Sequence, residues 1–476
     1  MRKAKIVCTI GPATDSPDAL DRLIEAGMDV ARLNFSHGSH DSHGRAIKAI
    51  REAAGRRRAA VAIIQDLQGP RIRVGELSPA GIDLVVDQIV DLIPAESGGD
   101  ASRSAGKIDI PVTYSHLGHD VQPGAAVLIN DGLIELRVER VTKSAVRCRV
   151  VSGGRITSHK GINLPGTAIS ASTLTDKDRE DLRFGIAQGV DYVALSFVRG
   201  PADIQLTKTL IDEFGGDVPV IAKIERPEAV THLQAIVDHA EGIMIARGDL
   251  GVEIGPETVP VIQKQLIVEA KRRRCLVITA TQMLESMTHN ARPTRAEASD
   301  VANAVFDGTD AVMLSAETAM GRYPVESVRV MDRIVRAAEA GKEPGIIRRA
   351  EPVHHVSFTD AICAAASSAA TAIDAKAIVV FSESGFTARL LSKQRPGAPI
   401  IAFTPCEPVR QRMALYWGVI PHTMPLIVET DPRIREVERR LKGQGLIDKG
   451  QRIVIVSGAL AGQKGGTNLM KLHDVK

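Results

Sequence analysis

The sequence lacks an excess of charge of either sign. Its 60 Lys and Arg residues nearly balance its 57 Asp and Glu residues, which leaves a formal net charge of +3. This balance gives no particular attraction to nucleic acid or to a membrane surface, so we expect neither as a partner. The hydrophobic content of 44% is that of a soluble globular protein.

Cysteines and long hydrophobic runs are also scarce. Five cysteines are scattered along the chain without a Cys-x-x-Cys pair: Cys8, Cys148, Cys275, Cys363 and Cys406. Their odd number and strand-like surroundings predict buried, reduced thiols in the cytosol, and neither disulfides nor a zinc site. No stretch approaches the roughly 18 uncharged apolar residues of a membrane span, and the apolar run near the amino terminus is too short for a signal sequence. We therefore predict a cytoplasmic protein.

The 476 residues are too many for one ordinary core and predict two to four domains. Apolar strands alternate with amphipathic helices, the pattern of a parallel sheet. The predicted strands lie near residues 6, 30, 62, 192, 220, 244, 277 and 312. Eight such strands are the number that a (β/α)₈ barrel needs.

Two further regions interrupt or follow this pattern. Residues 71–166 contain short β-branched runs between Gly, Pro and Asp and no convincing helix, which predicts an inserted, β-barrel-like all-β domain. The barrel would then comprise residues 1–70 and 167–342 and end in a Gly- and Pro-containing link at 342–352. Residues 343–476 alternate helix and strand again, which predicts a C-terminal α/β domain with a mainly parallel sheet and the chain's single tryptophan, Trp417.

Two consecutive predicted strands carry the most informative polar residues. Lys223 and Glu225 lie on one face of a buried strand, and Asp249 follows the next strand between two glycines. Two carboxylates at neighbouring strand ends suit Mg²⁺, which completes its shell with substrate oxygens. Lys223 would lie beside the metal and meet a phosphate. The alternative is a structural ion pair at the barrel rim, but the further carboxylate in its Gly-bounded loop favours chemistry.

The motifs around these residues resemble those of pyruvate kinases. IAKIERPEAV and IMIARGDLGVE match the family's signature segments, and ARLNFSHG, QDLQGPRIRVG, KGINLPG, ATQMLESM, RPTRAEASDVANAV and VMLSAET extend the similarity in order. The resemblance runs from residue 5 to about residue 333 and continues more weakly to the C-terminus. It implies phosphoryl transfer from phosphoenolpyruvate to ADP in glycolysis, giving pyruvate and ATP.

The resemblance also assigns roles around the phosphoryl group. Arg32 would clamp the substrate phosphate, with a structural rim salt bridge as the alternative, and Lys223 would stabilise the transferring group and the enolate. Glu225 and Asp249 would hold Mg²⁺, for which Mn²⁺ can substitute. Substrate carboxylate contacts would come from Gly248, Asp249 and Thr281, and Thr281 would position the water that protonates the enolate.

Nucleotide contacts are implied on both sides of the cleft. Arg73 and Lys160 match the family's contacts to the nucleotide phosphates, and Asn34 and His37 are further candidates. Lys160 lies where the chain re-enters the barrel from the inserted domain. That domain would act as a lid that brings this cation over the site.

The segment Asp66–Arg71 departs from the family pattern. Potassium-requiring relatives carry Thr and Lys where Leu67 and Gln68 stand, and Glu where Arg71 stands. We predict that the Arg71 guanidinium takes over the electrostatic role of K⁺, so that K⁺ is not required. The oxygen atoms of Asn34, Ser36 and Asp66 would remain as a vestigial or partial K⁺ site. If Arg71 instead points to solvent, K⁺ is still needed.

The C-terminal domain contains a candidate effector loop. A strand-to-helix turn with hydroxyls and helix N-terminal N–H groups suits a phosphate, and here it consists of Ser382, Ser384, Gly385 and Thr387. The resemblance implies a phosphorylated allosteric effector and a homotetramer. Glu383 would repel a phosphate, and the late loop offers Lys464 but neither Trp nor Arg, so fructose 1,6-bisphosphate, a sugar monophosphate and AMP all stay open.

Two other functions deserve comparison with the kinase. A barrel lyase or aldolase of the phosphoenolpyruvate/pyruvate type also uses Mg²⁺ on a Glu and an Asp, but it needs no nucleotide-phosphate cations such as Arg73 and Lys160. A catalytically silent metabolite-binding regulator on the same fold would be expected to have lost one of the catalytic residues, and all of them are present.

Overall fold

A closed barrel of eight parallel strands forms the centre of the computed structural model, which describes residues 2–95, 103–104, 107–341, 357–458 and 466–476. All eight predicted strands are present. They are Lys5–Thr9, Val30–Asn34, Ala62–Asp66, Tyr192–Leu195, Val220–Ile224, Gly242–Ala246, Leu276–Ala280 and Ala311–Leu314.

Helices surround the strands, and alternate strand residues separate two apolar layers. Ile6 and Cys8 pack outward against helices, whereas Val7 packs into the barrel interior. The barrel helices are Pro17–Ala26, His40–Arg57, Asp176–Ala187, Pro201–Glu213, Pro227–Thr231, Leu233–His239, Arg247–Ile254, Val259–Arg272, Arg295–Asp307, Ala316–Ala319 and Pro324–Ala340, with a 3₁₀ turn at Glu285–Thr288.

Local sequence signals explain several helix ends. Thr294 and Glu297 form the predicted capping box, in which each side chain accepts from the other residue's backbone N–H. One segment differs from its prediction. The stretch after the Gly242–Ala246 strand, expected to be a loop, is the helix Arg247–Ile254. Its first turn still leaves backbone N–H groups without helical partners, which is what ligand binding there requires.

The inserted region is mainly β, as predicted. Its strands form one sheet of seven and one of two, and a four-residue helix at Leu117–Asp120 was not expected. The strands are Ile82–Leu84, Ile89–Pro94, Arg103–Ser104, Lys107–Val112, Ala126–Ile129, Ile134–Val141, Val146–Ser152, Gly154–Ile156 and Ile162–Asn163.

The C-terminal domain has a five-stranded sheet whose last strand alone is antiparallel. Its strands are Ala377–Phe381, Ile400–Thr404, Val419–Thr423, Arg452–Gly458 and Thr467–Asp474. Its helices are Phe358–Ala372, Phe386–Lys393, Glu407–Arg412 and Thr430–Gly443, with a 3₁₀ turn at Met413–Leu415. The predicted link at 342–352 and Lys464 lie outside the described residues.

This domain covers the N-terminal end of the barrel. Tyr192, at the start of a barrel strand, donates a hydrogen bond to the carbonyl of Arg412 over 2.8 Å and is 1% exposed. The barrel interior and the C-terminal domain share one apolar cluster. The opposite end of the barrel therefore remains for the site.

Two sequence-based expectations concern single features of the chain. Four cysteines are buried as predicted, but Cys406 is exposed at the start of a helix, so its prediction as a buried thiol was wrong. Among the described residues, none of the helices is long and apolar enough to cross a membrane.

Candidate active site

The candidate site lies at the carboxyl ends of the barrel strands. Arg32 lies in the strand Val30–Asn34, and Asp66 is the last residue of the adjacent, parallel strand. Lys223 lies near the end of Val220–Ile224. Active sites of such barrels form at this end because all strands deliver their next residues there. The fold therefore brings together side chains that are up to about 190 residues apart in sequence.

Lys223 is the centre of this group. Its Nζ lies 2.8 Å from Oε1 of Glu225, 3.2 Å from Oδ1 of Asp66 and 2.7 Å from Oγ of Ser196. The contact with Ser196 is a hydrogen bond, and the contacts with the two carboxylates are ion pairs. Burial alone would lower the pKa of Lys223, but the carboxylates of Asp66 and Glu225 outweigh it and the pKa is raised. Lys223 is therefore cationic at neutral pH.

Asp66 joins Lys223 to Arg32. Nε of Arg32 donates to Oδ2 of Asp66 over 2.6 Å, while Oδ1 faces Lys223. Asp66 is 1% exposed. Burial would raise its pKa, but the two cations lower it, so the carboxylate stays ionised. The rim salt bridge considered for Arg32 thus exists, and its effect is to hold two cations side by side.

The two carboxylates predicted to bind a metal face the same space. Burial raises the pKa of Glu225, and repulsion from Asp249 adds to this effect against the attraction of Lys223. Mutual repulsion between two carboxylates is relieved by a cation between them. Two oxygen donors from consecutive strands fit Mg²⁺, which takes one or two carboxylates and completes its shell with other oxygens. No group of three or more His, Cys, Asp or Glu that could hold a metal is found in the described parts of the chain.

Thr281 and Gly248 meet beside these carboxylates. The N–H of Gly248 donates to Oγ1 of Thr281 over 2.8 Å, and that hydroxyl donates to the carbonyl of Ala280 over 2.6 Å. Thr281 has a φ of 71°, which is unusual for a β-branched residue. Arg247 holds this conformation, because its Nη2 donates to the Thr281 carbonyl over 2.8 Å. Strained backbone of this kind is common at functional sites.

Arginines from the start of the lid line the other side of the cleft. Nη2 of Arg71 lies 4.0 Å from Oδ1 of Asp249, so Arg71 turns toward the site although it is partly exposed. Burial and the positive charges of Arg73, Arg71 and Arg32 lower the pKa of His37. The carbonyl of Lys160 accepts from the N–H of Val74, which fixes the backbone of Lys160 beside Arg73.

The three oxygen-bearing residues assigned to a partial K⁺ site are not equally available. Oδ1 of Asn34 accepts the N–H of Ser36 over 3.2 Å, so these two lie together. Both carboxylate oxygens of Asp66, in contrast, face Arg32 and Lys223. Asp66 is therefore the anion that Arg32 and Lys223 share.

The structure adds contacts that the sequence did not indicate. Ser196 and Phe197 form the turn after the Tyr192–Leu195 strand, and the N–H of Phe197 donates to Oε2 of Glu225 over 2.7 Å. Asn163 of the lid donates to Oε1 of Glu253 on the barrel over 3.1 Å. A polar residue directly after a buried strand was the only available signal for Ser196.

The candidate effector loop is built around a helix start. Gly385 has a φ of 80° and begins Phe386–Lys393, and Ser384 lines a cavity of about 410 Å³ between the barrel and the C-terminal domain. Thr387 is buried and its hydroxyl pairs with that of Thr467 over 2.7 Å, and Ser382 is buried as well. The four residues therefore do not present their side chains to one common surface.

Comparisons with known proteins agree with this geometry. Two family models match the sequence, described as the barrel domain of pyruvate kinase over residues 1–328 and its alpha/beta domain over residues 360–473. A pyruvate kinase from Mycobacterium tuberculosis is 44% identical over 476 residues, covering 100% of this chain and 98% of the relative. One from Geobacillus stearothermophilus is 46% identical over 476 residues, covering 99% and 80%. A crystal structure of a pyruvate kinase from Cryptosporidium parvum matches with a TM-score of 0.91 at 38% identity, covering 100% of this chain and 96% of that one.

Proposed function

The chain belongs to the pyruvate kinase family, and we propose that it transfers the phosphoryl group of phosphoenolpyruvate to ADP with Mg²⁺ and without a requirement for K⁺. The observation that carries the proposal is the cation cluster of Arg32 and Lys223 around Asp66, next to Glu225 and Asp249. A lyase would have no use for the further arginines at 71 and 73. The direct test is pyruvate formation from phosphoenolpyruvate and ADP.

Each residue has a defined task in this reaction. Arg32 binds the phosphate of phosphoenolpyruvate, and Lys223 stabilises the negative charge on the transferring group and then on the enolate oxygen. Positioning and charge stabilisation are most of what such a transfer needs from the protein. The N–H groups around Gly248, together with Thr281, hold the substrate carboxylate. Thr281 also orients the water that delivers the proton to the enolate.

Glu225 and Asp249 are proposed to hold Mg²⁺, which when bound neutralises charge on the substrate oxygens. Replacing Glu225 by Gln removes one charged ligand while keeping the shape of the side chain. We expect the Mg²⁺ concentration at half-maximal activity to rise by on the order of 10-fold or more, because Mg²⁺ relies on anionic oxygens. A direct Mn²⁺ binding titration should show the same weakening, and an unchanged titration contradicts the ligand assignment.

The proposal that K⁺ is not required rests on the position of Arg71. Its guanidinium lies near Asp249 and contributes to the electrostatic field at His37. A fixed positive charge is thus present beside the carboxylates, whereas Asp66 is occupied by other cations. An arginine side chain stays protonated at any pH at which the enzyme works, so it can replace a monovalent cation permanently.

Replacing Arg71 by Glu should convert the enzyme to K⁺ dependence. We expect wild-type turnover to be similar with K⁺ and with a bulky organic cation at equal ionic strength. Turnover of Arg71→Glu should fall at least about 10-fold in the organic cation and recover with K⁺, because a lost charge interaction of that size is typical near a reacting group. Arg140→Glu, an exposed change on a lid strand, serves as the control for net charge. If wild-type turnover appears only with K⁺, Arg71 does not replace the monovalent cation, while the proposed kinase activity stands.

Other parts of the proposal follow from the family. They comprise nucleotide-phosphate contacts by Arg73, Lys160, Asn34 and His37, lid closure, a cytoplasmic location, a homotetramer and a phosphorylated effector. The geometry supports the nucleotide side most directly, since Arg73 and His37 lie near Arg71. The effector loop has weaker support, because Thr387 is occupied by Thr467 and only Ser384 faces a cavity.

A further inference from the structure

Ser196 accepts a hydrogen bond from the Lys223 ammonium, and the reaction described above gives it no task. We propose that Ser196 is a positioning residue that directs the Lys223 ammonium toward the transferring phosphoryl group. This inference rests on the function proposed for Lys223. Ser196 is 2% exposed and both of its side-chain hydrogen bonds are to protein atoms, so in this proposal it acts through Lys223 and not on the substrate.

The hydrogen bonds of Ser196 fix the direction of this interaction. A serine hydroxyl has one proton to donate. That proton goes to the carbonyl of Leu67 over 2.7 Å. The oxygen must therefore accept from Nζ of Lys223, which it meets at 2.7 Å. Because the donor and the acceptor positions are both used, the hydroxyl cannot rotate away without losing a buried hydrogen bond.

The chemical type of Ser196 matters because the other two partners of Lys223 are carboxylates. Asp66 and Glu225 hold the ammonium but also neutralise it. A third carboxylate would reduce the positive charge left to act on the phosphoryl group. A hydroxyl orients the ammonium without cancelling its charge. The hydrogen bond to Ser196 also restricts the Lys223 side chain, which has four rotatable bonds. Ordering such a side chain before the reaction removes an entropy cost from the reaction step.

The backbone around Ser196 keeps the hydroxyl in place. The N–H of Leu67 donates to the carbonyl of Ala194, so the segment after Asp66 is bound to the strand that directly precedes Ser196. Gly69 lies so close that a Cβ there would meet Cβ of Ser196 at 3.1 Å and the ring of Phe197 at 2.8 Å. Phe197, which follows Ser196, has a φ of 56° and donates its N–H to Glu225. The turn formed by Ser196 and Phe197 thus contacts both Lys223 and Glu225.

Ser196→Ala tests the proposal by steady-state kinetics. Loss of a hydrogen bond to a charged group should lower kcat about 10- to 100-fold, while KM for ADP changes little. The kcat loss without a matching change in KM is the readout, because a positioning effect on Lys223 acts on the reacting group and not on ADP binding.

The matched control is Ser327→Ala. Ser327 is also fully buried and also donates to a main-chain carbonyl, that of Tyr323 over 2.9 Å, but it lies on an outer helix. We expect Ser327→Ala to keep the wild-type kcat and KM for ADP. Trp417 fluorescence gives the folded fraction of each variant, and kcat is compared per folded molecule.

The results separate the possible explanations. A kcat within about twofold of wild type, or a KM for ADP that changes as much as kcat, overturns the role of Ser196. An equal loss in the two serine variants also overturns it, because the effect would then be one of general packing. If Lys223→Met remains active, the proposed role of Lys223 is wrong. If Lys223→Met is inactive but Ser196→Ala is active, only the inference about Ser196 is refuted.

Discussion

Replacing Lys223 by Met should lower kcat on the order of 10³-fold or more while the enzyme still binds ADP. Methionine keeps the length of the side chain and removes its charge. Lys223 is the buried cation that contacts both Asp66 and Glu225, and its raised pKa keeps it protonated at neutral pH. In the proposed mechanism, the variant lacks one of the two cations, Lys223 and Arg32, that would stabilise the charge on the transferring phosphoryl group. The measurement is steady-state pyruvate formation with saturating Mg²⁺.

The control for this variant is Lys48→Met, an exposed lysine on the helix His40–Arg57. It should retain the wild-type kcat. Because Lys223→Met leaves two buried carboxylates with one cation fewer, its folding is checked by Trp417 fluorescence before the kinetics are interpreted. Near-wild-type turnover per folded molecule would remove Lys223 from the mechanism.

The sequence predicted the barrel well because the information is local. Each strand is a short apolar run followed by a polar residue, and parallel strands bring those polar residues to one end. Arg32, Lys223 and Glu225 could therefore be placed near one another without coordinates. The capping box at Thr294 and Glu297 was likewise readable, since both partners lie within one helical turn.

Contacts between distant segments could not be read in this way. The hydroxyl of Ser196 is recognised only when the carbonyl of Leu67 and Nζ of Lys223 are both located. The helix beginning at Arg247 was predicted as a loop, and its two glycines do disfavour a helix. It forms because Arg247 is held by Thr281 and Asp300 and because the segment packs between neighbouring elements. Propensity was overridden there by tertiary structure.

Among the residues that the structure describes, the most deeply buried ion-pair group likewise has no sequence signature. Asp310, which precedes a barrel strand, is fully buried and pairs with Lys393 and Arg395 of the C-terminal domain. It also accepts the N–H of Val277 over 2.8 Å. Burial would raise the pKa of Asp310, but Lys393 and Arg395 outweigh it and lower the pKa. One carboxylate thus compensates two cations that are 4% and 3% exposed.

Asp310→Asn should destabilise the native state by about 3–5 kcal/mol, the typical result of breaking a buried ion pair. The substitution keeps the shape but leaves Lys393 and Arg395 buried without a counter-charge. Trp417 reports on this region directly, because its ring lies 4.6 Å from the guanidinium carbon of Arg395. The midpoint of its fluorescence change in urea, a denaturant that does not screen charges, is the measurement.

Two further variants show whether the cost arises from unpaired charge. Glu25→Gln breaks an exposed pair with Arg57 and should change stability by no more than about 1 kcal/mol. Replacing all three buried residues together with apolar ones, as Asp310→Leu, Lys393→Met and Arg395→Leu, should recover most of the stability lost in Asp310→Asn, because no buried charge then remains. If Asp310→Asn costs no more than Glu25→Gln, the group does not join the barrel to the C-terminal domain. If the triple variant is as unstable as the single one, packing around Asp310 is responsible and its charge is not.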